Sequence, residues 1–578
     1  MHWFKYIKPY LFYFIITPLC MLMEVAGEVI MPRLLGMVID SQKNGTLTVS
    51  ESLLVMLAII LCALAMMAGG IGGSYFGAKA SVNFATDLRQ DIFEKVQTYS
   101  FANIDKFSTG SLVTRMTNDV TQMQNFVNML LRMAFRAPGM LIAALFMAIS
   151  LQPSLTVTFA VAIPLLLIAV GAIILTGFSR FEVVQKKLDR LNSIVQENVT
   201  NVRVVKSFVR EDHEVKKFAG ANKDLKKAGM SAMNIMIFLS PVTTLIMNVT
   251  VLFIIYFGSQ MVYDTQMEVG ALSTFVTYTT QILFSLMMVS MLFMMSSRAL
   301  ASAKRIKEVL EEQPDISDEN AKFPQLEIQK GDIEFKNVTF RYYKNSSECV
   351  LDNINLKIPA KSIVGIIGST GCGKTTLVSM IPRLYDPDSG EVLIDGINVK
   401  DYSLYNLREG IGMVLQNNTL FSGTIEENLR WGNENATEEQ IVEAAKSAQA
   451  DKFVSSFKDG YKTEIDQGGT NVSGGQKQRL CIARTLLKNP KVIILDDSTS
   501  AVDTATEAQI RNSFRNELAG STKIIIAQRI SSVKDADMII VMNEGKITGI
   551  GTHDELMQSN EAYQEIYYSQ HDAEKKGA

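Results

Sequence analysis

Two glycine-rich segments carry the residues best suited to bind phosphate. Residues 368–375 read Gly-Ser-Thr-Gly-Cys-Gly-Lys-Thr and follow the apolar run 362–367. Glycines let the backbone turn its N–H groups toward phosphate oxygens, where Lys374 can neutralise charge and Thr375 can offer a hydroxyl to Mg²⁺. Residues 473–476 read Ser-Gly-Gly-Gln, a second phosphate-facing loop at the head of a predicted helix. The pair predicts a nucleoside triphosphate held between two protein halves, each of which offers one loop.

The surroundings of the first loop are those that a true phosphate-binding loop requires. An apolar strand precedes it, and residues 374–384 are predicted to be helical. A second apolar run, 492–495, ends in Asp496, which is typical of a strand that presents a carboxylate to Mg²⁺. The alternative, a core strand capped by an aspartate, does not explain why this run follows 473–476. Tyr342 is placed to stack on an adenine ring, although any exposed tyrosine could do so.

The first 300 residues are dominated by long apolar runs, and the remainder has the pattern of an α/β protein. A bilayer requires about 20 apolar residues per helix, and six runs meet that length. The fold class predicted is therefore an α-helical membrane domain with six transmembrane helices, followed by a P-loop α/β domain. The domains predicted are a membrane domain 1–300, a charged linker 301–329 and a nucleotide-binding domain 330–578. The predicted spans are 10–39, 52–77, 129–151, 154–178, 233–263 and 269–299.

Lysine and arginine residues set the expected orientation of the six spans in the membrane. Segment 79–132 contains six of them and segment 180–227 contains twelve, whereas the first outer loop contains Lys43 and residues 258–268 contain none. Because basic residues concentrate on the cytoplasmic side, both long loops, both termini and the nucleotide-binding domain are predicted to be cytoplasmic.

Overall composition bounds the remaining possibilities. A chain of 578 residues is too long to fold around one hydrophobic core, so at least two domains are expected. The net charge of −3 gives no electrostatic reason to expect binding to nucleic acid. The five cysteines are scattered and show neither metal-ligand spacing nor a disulfide framework.

Two features of the membrane half are candidate substrate determinants. Glu24 and Glu28 lie in one predicted span and share a helix face, so they indicate a binding site or gate that favours cationic cargo, or else a structural pair satisfied by a neighbouring helix or by a proton. The expected cargo is a hydrophobic or cationic small molecule. Met287 and Met291 follow helical spacing in the sixth span. Thioethers repack around varied apolar ligands, but they also fill gaps between helices, and both interpretations stay open.

Taken together, these motifs resemble an ATP-binding cassette (ABC) exporter half-transporter over essentially the whole chain. By this resemblance, Tyr342 is the aromatic adenine-stacking residue, Gln416 the Q-loop glutamine, and residues 500–503 the D-loop. Residues 107–120 resemble the region around the first coupling helix, and residues 204–211 resemble the region before the second. The predicted ATP-binding residues are Tyr342, Gly368, Ser369, Thr370, Gly371, Cys372, Gly373, Lys374, Thr375, Thr376, Gln416, Asp496, Ser473, Gly474, Gly475 and Gln476. The predicted Mg²⁺ ligands are Thr375, Gln416 and Asp496.

The resemblance also identifies departures at the chemical step. Asp497 stands where the family has a glutamate that polarises water, and Gln528 stands where it has a histidine. Misplacing a general base by about an ångström can cost roughly 10²-fold in rate. Gln467 stands where exporters of the family commonly have a glutamate, and Val472 replaces a leucine, which is a mild departure. The residues that hold Mg·ATP are all present, so the expectation is a site that binds ATP and hydrolyses it slowly.

The intact 473–476 loop implies that this chain completes a working site on a partner. The expected protein is the degenerate-site subunit of a bacterial heterodimeric multidrug-type exporter in the cell membrane, with a second half-transporter and membrane lipid as partners. The alternatives are a homodimer with two slow sites, an ATP-gated regulator or channel, and an exporter of lipids or peptides.

Overall fold

A computed structural model describes residues 3–45, 48–319, 321–343, 348–497, 504–516 and 520–576. The chain forms two compact units. One comprises Met1–Gln97 and Gly110–Glu311, and the other comprises Thr98–Thr109 and Glu312–Ala578. The predicted D-loop, residues 500–503, lies outside the described residues, as do the side chains of several residues in the sixth span, Met291 among them.

In its described residues, the first unit consists of helices joined by short turns. Six helical stretches there are long and apolar enough to cross a membrane, which confirms the six predicted spans. Numbered along the chain, with α4 belonging to the second unit, the helices are α1 Phe4–Ile7, α2 Leu11–Lys43, α3 Val49–Gln97, α4 Phe101–Phe107, α5 Thr109–Thr114, α6 Val120–Met133, α7 Arg136–Leu151, α8 Pro153–Thr200, α9 Val202–Ser207, α10 Glu211–Met236, α11 Leu239–Tyr263 and α12 Val269–Glu311.

Several helices are much longer than the apolar runs that predicted them. α8 contains 48 residues, which at 1.5 Å per residue is about 72 Å, more than twice the thickness of a hydrocarbon core. Its polar C-terminal half therefore extends beyond the membrane. α12 likewise continues to Glu311, so the predicted domain boundary at residue 300 falls inside a helix and the first part of the predicted linker is helical.

The described part of the second unit contains three sheets with helices around them. The strands are β1 Ile333–Phe340, β2 Leu351–Ile358, β3 Ile363–Gly368, β4 Ser389–Ile394, β5 Ile397–Asn398, β6 Ile411–Val414, β7 Gly423–Thr424, β8 Glu464–Ile465, β9 Val492–Asp496, β10 Thr522–Ile526, β11 Met538–Asn543 and β12 Lys546–Gly551. The helices are α13 Lys374–Ser379, α14 Leu404–Glu409, α15 Ile425–Arg430, α16 Glu438–Ser447, α17 Asp451–Val454, α18 Gly474–Leu487, α19 Thr504–Asn516, α20 His553–Ser559 and α21 Glu561–Lys576.

The six-stranded sheet, ordered β12-β11-β3-β10-β9-β6, positions the predicted site. β10 pairs in parallel with β3 on one side and β9 on the other, with Ile524 opposite Val364 and Ile494. β9 and β10 are buried along their whole length, as parallel strands covered on both faces are. Since parallel strands end at one edge, the residues after β3, β9 and β10 meet there.

The helix after the phosphate-binding loop is shorter than predicted. It ends at Ser379, whereas the sequence indicated helix over 374–384. Pro382 lacks an amide N–H and disfavours helical geometry in the residue before it. Turns follow instead, and Arg383 adopts a φ of 52°.

Candidate nucleotide site and intramembrane charge cluster

The loop between β3 and α13 has the backbone of a phosphate cradle. Gly371 and Gly373 have φ values of 85° and 95°, in the left-handed region that side chains disfavour. A Cβ at Gly373 would lie 2.8 Å from the carbonyl oxygen of Val350. Both positions therefore require glycine, and the loop can bring its amides close to an anion.

Lys374 lies across the loop that precedes it. Its Nζ donates to the carbonyl oxygens of Gly368 at 2.9 Å and Ser369 at 2.7 Å. The ammonium is thereby held over the cradle, where a phosphate oxygen could replace a carbonyl as acceptor. This arrangement fits a bound triphosphate.

Thr375 and Asp496, two of the three predicted Mg²⁺ ligands, contact each other. The Thr375 hydroxyl donates to Asp496 Oδ1 at 3.0 Å. Asp496 is 1% exposed, and its Oδ2 has no hydrogen-bond partner within the described residues. Burial raises the pKa of this carboxyl above its usual range. A buried oxygen without a donor is costly, and it fits a Mg²⁺ ion, which would supply positive charge to the phosphates.

Asp497 and Gln528, the two departures from the family pattern, contact each other. Gln528 Nε2 donates to Asp497 Oδ2 at 2.7 Å. Asp497 has a φ of 48°, and Gln478 Nε2 donates to its main-chain oxygen at 3.4 Å. Burial raises the pKa of the Asp497 carboxyl, while hydrogen bonds from Gln528 and Gln416 lower it. The Gln528 amide therefore occupies one of the two carboxylate oxygens of Asp497, to which an attacking water molecule would donate its hydrogen bond.

Tyr342 lies beside the cradle in an aromatic cluster. Its hydroxyl is 3.0 Å from the Thr376 hydroxyl. Its ring meets Phe340 and Tyr385 edge-to-face, with centroids 5.0 Å and 5.3 Å away. The ring is 46% exposed, so one face is free for an adenine.

Tyr385 is a residue that the sequence analysis missed. Its hydroxyl donates to Asp105 Oδ2 of α4 at 3.0 Å, and its ring lies 6.2 Å from that of Phe101. Asn103, also on α4, is buried and donates to the main-chain oxygen of Gln313 at 3.2 Å. Tyr385 thus contacts both Tyr342 and α4, a connection between segments distant in sequence that no local pattern signals.

We expect Tyr385→Phe to loosen α4 without disturbing the aromatic cluster, because it removes only the hydroxyl bonded to Asp105. Loss of a hydrogen bond to a charged group costs about 1.5–3 kcal/mol, so amide exchange in 101–107 should rise about tenfold or more. Hydrogen–deuterium exchange of the full-length protein measures this rise. Tyr405→Phe is the control, since Tyr405 is 75% exposed and makes no hydrogen bond within the described residues. Equal exchange in both variants contradicts the prediction.

The Ser473–Gln476 loop forms the N-terminus of α18. The Ser473 hydroxyl accepts from the Gln476 amide at 3.3 Å, and Gln476 Oε1 accepts from the Ser473 amide at 2.9 Å. Ser473 and Gly474 are exposed. Neither Ser473 nor Gln476 is hydrogen-bonded to the 368–375 loop in the described part of the chain. The structure therefore brings Lys374, Thr375 and Asp496 together and leaves this second loop open.

The two membrane glutamates share one arginine. Arg136 Nη2 lies 2.6 Å from Glu28 Oε1 and 3.2 Å from Glu24 Oε1. The sequence analysis did not identify Arg136, although an arginine inside an apolar span was the available signal. Arg33 instead donates to Met147 Sδ at 3.8 Å.

Of the two predicted methionines, Met287 has a described side chain. It is half-buried on α12, and the cavity beside Glu28 is lined by its neighbour Met288.

Six apolar helices with a P-loop α/β unit define a membrane-bound transport ATPase. Residues 11–287 match the ABC transporter transmembrane region, and residues 351–500 match the ABC transporter model. The chain is 38% identical to an uncharacterized ABC transporter ATP-binding protein, YfiB of Bacillus subtilis, over 98% of both chains. It is 37% identical to the Mycobacterium tuberculosis protein Rv1273c over 98% of this chain and 97% of that one. A solved bacterial Atm1-family ABC exporter with ATP bound superposes with a TM-score of 0.80, at 26% identity and 98% coverage of both.

The chain therefore belongs to the ABC transporter family. It is a half-transporter with an N-terminal transmembrane domain and a C-terminal cassette, of the exporter kind driven by ATP. Its cassette is an ATPase domain coupled to transport.

Proposed function

We propose that this chain is one half of a heterodimeric exporter that moves amphipathic small molecules across a bacterial cell membrane. Its own P-loop site holds Mg·ATP and hydrolyses it slowly, and its Ser473–Gln476 loop completes the faster site on a second half-transporter. The termini and cassette are cytoplasmic, and membrane lipid surrounds the six spans.

The hydrogen bond between Gln528 and Asp497 carries this proposal. A general base must keep a carboxylate oxygen within hydrogen-bond reach of the attacking water, and such a base contributes roughly 10²–10⁴-fold to rate. Here the carboxylate is one methylene shorter than the family's glutamate and is bonded to a neutral amide at 2.7 Å. Lys374, Thr375 and Asp496 are nevertheless arranged to bind, so this site separates binding from hydrolysis.

Exposed surfaces support the presence of a partner. Ser473 caps a 14-residue helix whose first amides face solvent. Such a helix N-terminus favours the binding of an anion such as a phosphate. In the second predicted coupling region, Phe208 and Val209 are 71% and 80% exposed. Val209 also has a φ of 49°, a strained conformation for a β-branched residue. In this proposal, both surfaces are covered by the second half-transporter.

Comparing the chain alone with the assembled pair tests the proposal. The purified chain should bind ATP but show little turnover, and co-purification with a half-transporter that has the missing glutamate and histidine should restore turnover and transport into vesicles. Brisk hydrolysis by the chain alone, surviving removal of contaminating ATPases, would overturn it.

An ATP-gated regulator or channel is the second candidate, favoured by the same Asp497–Gln528 pair. In that case nucleotide binding changes conformation without driving transport. Uphill accumulation of cargo in vesicles that depends on hydrolysis excludes it.

We expect Lys374→Ala to weaken ATP binding at this chain's own site by about 10²-fold, because a charge-assisted hydrogen bond contributes about 1.5–3 kcal/mol. Titration of the purified chain with a fluorescent ATP analogue measures the affinity. Lys357→Ala is the control, since Lys357 lies exposed on β2, away from the loop. Unchanged affinity in Lys374→Ala argues against the assigned role of this lysine.

A further inference from the structure

Two cavities in the membrane domain adjoin at Arg136, which lines both. The first has a volume of about 450 Å³ and contains Glu28 and Gln281 among its polar residues. The rest of its wall is largely apolar, with contributions from Met140, Met247, Phe284 and Met288. It therefore combines an acidic group with a flexible apolar surface.

The second cavity has a volume of about 680 Å³ and a different polarity. It is lined by Glu24, Ser74, Tyr75, Arg132 and Arg136, together with Gly70 and Ile71. Two hydroxyls and two guanidiniums thus face the same space, and these groups donate hydrogen bonds to oxyanions.

The charged groups are divided unequally between the two cavities: Glu28 lines the first, Glu24 and Arg132 line the second, and Arg136 lines both. The second cavity therefore has one cation in excess, and the first has none. Arg136 serves both Glu24 and Glu28, so one guanidinium faces two carboxylates and the trio has a formal charge of −1. Arg132 lies four residues before Arg136, near the end of α6, and is exposed, with no hydrogen bond or ion pair to any described residue. Its charge of +1 balances the trio, but it belongs to the second cavity alone.

The first cavity also contains an acceptor that lacks a donor. Gln281 Nε2 donates to the main-chain oxygen of Glu28 at 2.9 Å, whereas Gln281 Oε1 is buried without a partner among the described residues. A buried acceptor favours a ligand that brings an N–H or O–H group. The first cavity is therefore suited to a cation or donor, and the second to an oxyanion.

Depth in the membrane makes this balance important. Arg136 begins α7, whose 16 residues end at Leu151. At 1.5 Å per residue, the distance from Arg136 to Leu151 is about 22 Å. This distance places the charges inside the bilayer rather than at its outer surface. Unbalanced charge is costly at such depth. A ligand with a single charge would leave one group of the site uncompensated, whereas a ligand with both charges would not.

We propose that these adjoining cavities form a cargo site for dipolar amphiphiles, molecules that have an ammonium and an oxyanion on one apolar body. The ammonium is placed beside Glu28 and Gln281, the oxyanion beside Arg132, and the apolar part against the methionines and Phe284. This inference rests on the proposed export function and names its substrate class.

Binding of three amphiphiles with the same dodecyl chain tests the proposal. Their headgroups are phosphocholine, trimethylammonium and phosphate. The affinity of each is measured by competition with a fluorescent phosphocholine probe bound to the full-length chain in nanodiscs without nucleotide. The dipolar compound is expected to bind at least about tenfold more tightly than either singly charged one, because each charge contact contributes a measurable part of affinity. Equal binding of all three, or tightest binding of either singly charged compound, overturns the proposal.

Matched variants identify the two ends of the site. Arg132→Gln removes a side chain that bonds to none of the described residues, so the fold should persist, and the preference should shift toward the cationic amphiphile. Glu28→Gln should shift it toward the anionic one, with Arg136 still paired to Glu24. The controls are Arg180→Gln and Glu268→Gln, which remove like charges that line neither cavity. An unchanged preference in Arg132→Gln, with the protein folded, contradicts the assignment.

Two further ligands distinguish the sources of this chemistry. A phosphatidylcholine with a labelled acyl chain represents the lipids, and the dipeptide Leu-Phe represents free zwitterions. Displacement by only one of them identifies the source, and displacement by neither overturns the proposal. Because binding is measured without ATP, failure of ATP-driven transport would count against the export function and leave the site intact.

Discussion

Replacing Ser473 by alanine is expected to lower ATP turnover of the assembled transporter by about 100-fold, although the residue lies far along the chain from its own P-loop. Removing one preorganised donor to developing negative charge typically costs 10²–10³-fold, which sets the expected size. The Ser473 oxygen accepts from the Gln476 amide, so its own O–H remains available to a phosphate oxygen. In the proposed pair that phosphate is bound by the second half-transporter.

Steady-state ATPase activity of the reconstituted pair measures this loss, and ATP titration shows that binding to this chain's own P-loop changes little. Losing an N-terminal cap costs about 1 kcal/mol of stability, so a capping control is needed. Ser403→Ala supplies it, because the Ser403 hydroxyl caps α14 in the same way, accepting from the Asn406 amide at 3.3 Å. If Ser473→Ala and Ser403→Ala retain equal turnover, the shared-site assignment is wrong.

The proximity of the candidate nucleotide-binding residues could be predicted because these residues follow strand ends. Apolar runs 362–367 and 492–495 fold as neighbours of one central strand, β10, and so bring Lys374, Thr375 and Asp496 together. The six spans could also be predicted from the sequence, since bilayer thickness sets their length. The ends of the helices could not be predicted, because a helix can continue past its apolar run, as α12 does to Glu311.

The contacts that the sequence did not predict join side chains distant in the chain. Arg136 pairs with two glutamates more than a hundred positions earlier, and Tyr385 bonds to Asp105. Neither contact has a local periodicity or a motif, because it depends on which helix faces neighbour each other in space. The acidic pair alone indicated a cation site, and the arginine changes the balance of charge there.

A chain with Asp497→Glu and Gln528→His together is expected to hydrolyse ATP about 10- to 100-fold faster than the unchanged chain, since a positioned base contributes roughly 10²–10⁴-fold. The longer side chain would extend the carboxylate toward the water, and an imidazole could hold charge near the γ-phosphate. Asp497→Glu alone should gain only a few-fold, because Gln528 still donates to the carboxylate, as it does now at 2.7 Å.

Phosphate release by the purified full-length chain, assembled as a homodimer, measures this gain without a second half-transporter. Gln528→Ala in the Asp497→Glu background is the informative control. It removes the amide that donates to the carboxylate but adds no imidazole. If it matches the histidine variant, the present site is slow because the glutamine occupies the base. If neither variant exceeds the unchanged chain, the proposed separation of binding from hydrolysis at this site is wrong.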